Sequence, residues 1–168
     1  GIEGDADREI VRQAIAFTNL IHLADQRLND LSGGERQRAF IARAICQQPR
    51  LILLDEPTAA LDLAHQIRIM DLMNRLRSDQ GTTVVMVSHD INLAAMYADR
   101  IMLLTDGRIR ACGSPRRVVD EQILTRAYDC RLTVEHSPCG DWPHVHLMKG
   151  AGKIKSRQLK EIKNEERR

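Results

Sequence analysis

The stretch L-S-G-G-E-R-Q-R at residues 31–38, followed by L-I-L-L-D-E-P at residues 51–57, decides the fold of this 168-residue chain. The first stretch places a hydroxyl and two glycines at the start of a helical pattern. The second is a continuous apolar strand that ends in two adjacent carboxylates. A second apolar strand is followed by Ser88-His89-Asp90, whereas no phosphate loop of the form G-x-x-x-x-G-K-S/T occurs in the sequence.

Composition narrows the class of protein. The length suits about one domain, and hydrophobic residues at 43% with aromatics at 3% predict an aliphatic core. The net charge is +2, but residues 149–168 hold eight Lys or Arg against three Glu, which leaves −3 for the preceding residues. We therefore expect no nucleic-acid partner. Without a long apolar run or a signal segment, and with four cysteines in no C-x-x-C pair, we expect a cytosolic protein with reduced thiols.

The pattern along the chain predicts an α/β fold. Predicted helices begin at Asp5 and cover residues 35–46, 64–77, 91–98 and 115–128, and predicted strands cover residues 51–54, 83–87, 101–104 and 108–112. The last two strands are predicted to be joined by a hairpin turn at Asp106-Gly107. The helix at residues 64–77 is predicted to bury a stripe formed by Ile67, Met70, Leu72, Met73 and Leu76. Alternating strands and helices are typical of a parallel sheet, with its strands buried on both faces. We expect three regions: a helical segment at residues 1–48, an α/β core at 49–128, and an irregular extension with a charged tail at 129–168.

Polar groups follow two of the predicted strands. Asp55 and Glu56 end the strand at residues 51–54, and His89 follows the strand at residues 83–87. The carboxyl ends of parallel strands meet at one edge of a sheet, where α/β proteins bind their ligands. We therefore expect these side chains to converge on one edge.

These motifs together resemble the C-terminal part of the ATP-binding subunit of ABC transporters, over residues 7–120. Residues 31–35 match the family's signature motif, residues 51–55 its Walker B strand, and residues 59–62 its D-loop, with Ala59 where Ser is common. Glu56 matches the catalytic glutamate and His89 the switch histidine. The resemblance implies a P-loop NTPase-like core with ATP and Mg²⁺ as cofactors.

Each candidate residue has a functional and a simpler interpretation. Ser32, Gly33, Gly34 and Glu35 begin a helix whose free N–H groups suit a phosphate, or they form an ordinary N-cap. Asp55 suits Mg²⁺ and Glu56 suits activation of water, or both are solvated carboxylates. His89 would contact the γ-phosphate, or it is a surface or capping histidine. Asp62 would contact a partner subunit, cap the next helix, or do both.

The resemblance also implies partners. Two such subunits dimerise head to tail, each signature motif completing the ATP site of the other, and the pair drives a membrane permease from the cytoplasmic face. The family's phosphate loop lies upstream of its signature motif, so we interpret the chain as truncated and expect it to bind ATP poorly alone. Importers of iron-siderophores, haem and vitamin B12 have similar sequences at residues 23–27, 88–94, 99–101, 107–109 and 113–115, and importers of metal ions or phosphonates share much of this pattern.

Two alternatives to an importer ATPase remain open: a non-transport ABC ATPase, and a non-catalytic fragment that pairs with a complete subunit.

The C-terminal region has two interpretations, a metal site or an irregular loop. Its cysteines and histidines suit a metal site, but their spacing fits no common ligand pattern and Pro138, Gly140 and Pro143 favour an irregular loop. The tail after Lys149 is predicted to be mobile or a loose surface helix.

Overall fold

The computed structural model describes residues 4–149, which divide into two compact units at residues 4–89 and 90–149. Each unit has its own cluster of buried apolar side chains. None of the helices in the described range is long and apolar enough to cross a membrane. The charged tail at residues 150–168 lies outside the described residues, and the predicted boundaries after residues 48 and 128 stay predictions.

The first unit contains three helices and a pair of parallel strands. Its elements are α1 (Asp5–Phe17), α2 (Gly33–Ile45), β1 (Leu51–Asp55), α3 (Leu63–Gln80) and β2 (Thr83–Val87), with short 3₁₀ turns at Ile21–Leu23 and Leu28–Asp30. Strands β1 and β2 pair in register, so that Asp55 lies opposite Val87. This register brings the ends of both strands to the same edge.

The ends of α3 follow from local chemistry. The Asp62 carboxylate accepts a hydrogen bond from the His65 N–H at 2.8 Å and caps the first turn. Gly81 ends the helix with φ of 66°, a left-handed conformation that glycine adopts without a steric penalty. The helix therefore starts and stops where the sequence supplies a cap at each end.

One stripe of α3 forms much of the core of the first unit. The sequence prediction that Met70, Leu72, Met73 and Leu76 are buried is confirmed. The prediction for Ile67 is wrong, because this side chain is 38% exposed, whereas Ile69 is fully buried. Residues 69, 72, 73 and 76 follow the i, i+3, i+4, i+7 spacing of a single helix face, and Ile67 lies off that face.

The strands β1 and β2 are buried on one face only. Ile52 packs into the core, but Leu51, Leu53, Val85 and Val87 are each more than half exposed. The prediction that both faces are buried is therefore wrong for the described residues. An apolar run shows that a strand can be covered on both sides, but it does not show which part of the chain covers it.

The second unit is built from helices and two hairpins. Its elements are α4 (Ile91–Tyr97), β3 (Ile101–Thr105), β4 (Arg108–Gly113), α5 (Pro115–Val118), α6 (Glu121–Tyr128), β5 (Leu132–His136) and β6 (Pro143–Leu147). β3 pairs with β4 in an antiparallel sheet of two strands, whereas the strand order predicted a parallel arrangement for it. The hairpin turn predicted at Asp106-Gly107 is confirmed, with positive φ at both residues.

The region predicted to be irregular forms the hairpin of β5 and β6 instead. Pro143 occupies the first residue of β6, a place in a strand where a missing N–H is tolerated. The Asn92 side chain on α4 accepts from the Val145 N–H at 2.8 Å and donates to the Val145 carbonyl at 3.2 Å. This amide ties β6 to α4 within the second unit.

Candidate functional site

The parallel pairing of β1 and β2 brings Glu56 and His89 into contact. The Glu56 N–H donates to the Val87 carbonyl at 3.1 Å, which fixes the first residue after β1 against the end of β2. The His89 Nε2 lies 2.6 Å from Glu56 Oε1. The prediction that these two groups converge on one edge of the sheet is confirmed by this contact.

Glu56 has an unusual backbone conformation. Its φ of 46° lies in the left-handed region, which side chains other than glycine rarely adopt. Such a conformation costs about 1–2 kcal/mol for an L-residue and is common at functional sites. The turn takes the chain out of the strand immediately after Asp55, so the Glu56 side chain leaves the sheet edge toward His89.

The chemistry available at this edge is that of a carboxylate beside an imidazole. The Glu56 side chain is 40% exposed and that of His89 is 83% exposed, so both are open to a ligand and to water. A carboxylate can accept a proton from water, and a histidine can donate a hydrogen bond to a phosphate oxygen. The exposed Asp55 carboxylate at the end of β1 offers the oxygen ligand that Mg²⁺ prefers, which fits a site completed by phosphate oxygens.

The turn before α2 is closed by a capping box. The Ser32 N–H donates to Glu35 Oε2 at 2.8 Å, and the Glu35 N–H donates to Ser32 Oγ at 3.4 Å. The interpretation of Ser32 as an N-cap is thus confirmed. The hydrogen bonds from Ser32 lower the pKa of the Glu35 carboxyl, since they stabilise its charged form.

The turn at residues 32–35 packs closely on the first turn of α3 and on the residues just before it. Gly34 is buried, and a Cβ placed on it would overlap the His65 ring. A Cβ placed on Gly33 would lie at ordinary contact distance from the Leu61 side chain. Glycine is therefore required at residue 34 by the close approach of α3.

His65 also forms hydrogen bonds with the Asp62 carboxylate. Its Nδ1 lies 2.8 and 2.9 Å from the two Asp62 carboxylate oxygens, and its backbone N–H donates to the same group. These hydrogen bonds, the backbone one foremost, lower the pKa of the Asp62 carboxyl. The N-cap interpretation of Asp62 is confirmed, and its contact with a partner subunit stays a prediction.

The candidate residues thus fall into two groups within the first unit. Asp55, Glu56 and His89 lie at the ends of the strands, and residues 32–35 lie at the start of α2 beside Asp62. Sequence reasoning missed His65, which links Asp62 to Gly34. The spacing of Asp62 and His65 in the first turn of a predicted helix was the available signal.

The cysteines and histidines of the C-terminal hairpin do not gather into a metal site. Within residues 4–149, no group of three or more His, Cys, Asp or Glu side chains could hold a metal ion. The His136 ring lies 3.0 Å from Asp141 instead, and the ring centroids of His144 and His146 are 4.7 Å apart. These contacts give the histidines protein partners.

The sequence matches the family described as "ABC transporter" over residues 3–59. It is 40% identical over 139 residues to the ferric enterobactin transport ATP-binding protein FepC of Escherichia coli (strain K12), covering 83% of this chain and 51% of that protein. It is 47% identical over 134 residues to the hemin import ATP-binding protein HmuV of Rhodococcus jostii (strain RHA1), covering 80% and 46%. The chain therefore spans about half the length of the curated relatives it matches.

Solved structures show the same likeness. A metal-chelate type ABC transporter in an inward-facing conformation matches with a TM-score of 0.81 at 33% identity, covering 87% of this chain and 59% of that one. The ATP-binding cassette MJ0796, in a dimeric post-hydrolysis state bound to ADP and Pi, matches with a TM-score of 0.59 at 37% identity, covering 68% and 49%. The chain is thus similar to ABC transporter ATP-binding proteins over most of its length, and the predicted P-loop NTPase-like α/β fold is confirmed.

Proposed function

We propose that this chain is part of the ATP-hydrolysing subunit of an ABC importer. The observation that carries the proposal is the 2.6 Å contact between His89 and Glu56 at the end of the parallel strands. The contact supports the proposal because a carboxylate that could act as a general base lies beside an imidazole, at the edge where α/β proteins bind ligands. The similarity to ABC transporter ATP-binding proteins supports ATP as the nucleotide.

Glu56 orients and deprotonates the attacking water in this proposal. His89 holds the Glu56 carboxylate and donates to the γ-phosphate, and Asp55 is the ligand for Mg²⁺. Magnesium would neutralise charge on the phosphates, as it does in phosphoryl transfer generally. The left-handed backbone of Glu56 supports this role, because the strain is explained by the position that its carboxylate must take.

The turn at Ser32, Gly33 and Gly34 would bind the ATP held by a second subunit. Its hydroxyl is exposed, and the start of α2 presents backbone N–H groups toward a phosphate. Asp62 would then lie at the same subunit contact, because His65 joins it to the α2 turn. The solved dimer of a related cassette supports this pairing.

We infer from the relatives that the cargo is a metal chelate or a tetrapyrrole. The matched relatives are named for ferric enterobactin, petrobactin, hemin and cobalamin. The chain would associate with a membrane permease at the cytoplasmic face.

Hydrolysis can be tested by fusing residues 4–149 behind the preceding half of the E. coli enterobactin ATP-binding protein. We expect the fusion to hydrolyse ATP, and Glu56→Gln and His89→Ala to lower kcat by about 10²–10⁴-fold. Glu9→Gln on the exposed face of α1 is the matched control and should keep the rate. An active fusion whose rate is unchanged by Glu56→Gln would refute the assignment.

A mixing experiment distinguishes a catalytic chain from a non-catalytic fragment. The lack of a phosphate-loop motif in the sequence favours the non-catalytic fragment. The 168-residue chain is mixed with the complete enterobactin protein, and ATP turnover is measured. Loss of turnover, reversed by Ser32→Ala, would support a fragment that pairs through its α2 turn. Unchanged turnover together with an active fusion supports the catalytic assignment.

A further inference from the structure

A cavity lined by three arginines lies among α1, α2 and α3 of the first unit. Its volume is about 210 Å³, and Arg38, Arg68 and Arg75 line it together with the carboxylate of Asp71 and the ring of Phe17. We call it the arginine cavity. None of the residues that line it has a role in the function proposed above.

Arg38 is the side chain that makes this cavity unusual. It is only 8% exposed, and its Nε and Nη1 atoms have no hydrogen-bond partner among the described residues. Burial lowers the pKa of the Arg38 guanidinium; the Glu35 carboxylate opposes this shift, and the positive charge of Arg68 adds to it. A buried guanidinium with unmet hydrogen bonds is unfavourable unless an anion compensates it.

The other two arginines add positive charge around the same space. Arg75 stacks over the Phe17 ring, with its guanidinium carbon 4.3 Å from the ring centroid, and this contact restrains it beside the cavity. It also lies 3.9 Å from Asp79, at the exposed end of α3. Asp71 is the one carboxylate in the lining, so positive charge exceeds negative charge there.

We propose that the arginine cavity binds a small oxyanion, such as a phosphate or a carboxylate group. Guanidinium groups recognise both through paired, charge-assisted hydrogen bonds. The cavity is large enough for either group. Arg38 lines the cavity, so its positive charge lies beside an anion held there.

Calorimetric titration of the 168-residue chain with inorganic phosphate, and separately with acetate, tests the proposal at constant ionic strength. We expect saturable binding of at least one of them. Arg38→Gln and Arg68→Gln should each weaken it by about ten-fold or more, the loss expected for a hydrogen bond to a charged group. Asp71→Asn should strengthen it, because a repelling carboxylate is removed.

Arg43→Gln is the matched control. Arg43 is an exposed arginine on α2, the helix that carries Arg38, and it lies outside the lining of the cavity. It should leave the affinity unchanged. Arg68 is exposed, so its variant remains informative even if Arg38→Gln fails to fold. Binding of phosphate alone would assign a phosphate ligand, and binding of acetate would assign a carboxylate. Absence of binding by both anions, or binding that Arg68→Gln does not weaken, would overturn the proposal. None of these outcomes depends on ATP hydrolysis.

Discussion

At the scale of single residues, Glu35 shows how one carboxylate sets the start of a helix. It receives the Ser32 N–H and returns its own N–H to the Ser32 hydroxyl, so both ends of the turn are closed. Its lowered pKa means that the folded state binds the proton less tightly than the unfolded chain. The ionised carboxylate therefore contributes to stability.

We predict that this contribution depends on pH. It should be complete above the ordinary glutamate pKa of about 4.3, and it should be lost as pH falls through the lower pKa of the folded state. Glu35→Gln should destabilise the chain at pH 7, and the difference should vanish in acid. Urea unfolding across this range measures it. Glu121→Gln, in the first turn of α6, is the control for a general helix-dipole effect, and an equal loss there would contradict the prediction.

A second prediction concerns the contact between Gly34 and His65. Gly34→Ala should destabilise the first unit, because the added methyl meets the imidazole ring. His65→Ala removes the ring, so the double variant should recover part of the loss. Thermal unfolding of the four proteins gives the coupling free energy. Additive effects of the two substitutions would show that the ring is not the obstacle.

Sequence reasoning reached the residues at the strand ends but not their conformation. Strand polarity alone places Glu56 near His89, since parallel strands end at one edge. The left-handed backbone of Glu56 could not be foreseen, because glutamate has no preference for it. The burial of Arg38 was missed for a similar reason: an arginine on a helix is normally exposed.

At the scale of elements, α3 is the main packing surface of the first unit. Its buried face contributes Ile69, Leu72, Met73 and Leu76 to one cluster with α1, α2 and β1. We predict that Leu76→Ala, at 1% exposure, costs about 2–5 kcal/mol of unfolding free energy. Leu63→Ala, at 80% exposure on the same helix, should change it by less than about 0.5 kcal/mol. Chemical denaturation compares them, and similar losses would contradict this packing.

The elements were predictable wherever the local signal was strong. The parallel strands and the turn at Asp106-Gly107 follow from apolar runs and from a dipeptide suited to a hairpin. The hairpin of β5 and β6 was missed because Pro138, Gly140 and Pro143 favour a loop when each is judged by itself. Its pairing depends instead on contacts that no local pattern contains, such as Asn92 with Val145.

At the scale of the whole molecule, the open face of β1 and β2 is the largest departure from expectation. Leu53 is 71% exposed and its neighbour Val85 is 51% exposed, on two strands that, within residues 4–149, pair only with each other. We predict that the purified chain self-associates as its concentration rises, because an uncovered apolar sheet face favours association. Leu53→Lys should suppress the self-association, as measured by light scattering. Leu147→Lys, at 83% exposure in the other unit, is the control, and an equal effect there would contradict a specific role for the sheet face.

The left-handed backbone at Glu56 also has an evolutionary consequence. Asparagine and glycine adopt this conformation more readily than glutamate. An Asn or Gly at residue 56 would relieve the strain, and the exposed contact with His89 would be a small loss. A lineage selected for stability alone would thus drift away from glutamate here. Under the role proposed for Glu56, its retention would reflect selection on the reaction, and its replacement would mark descendants that have kept the fold after abandoning hydrolysis.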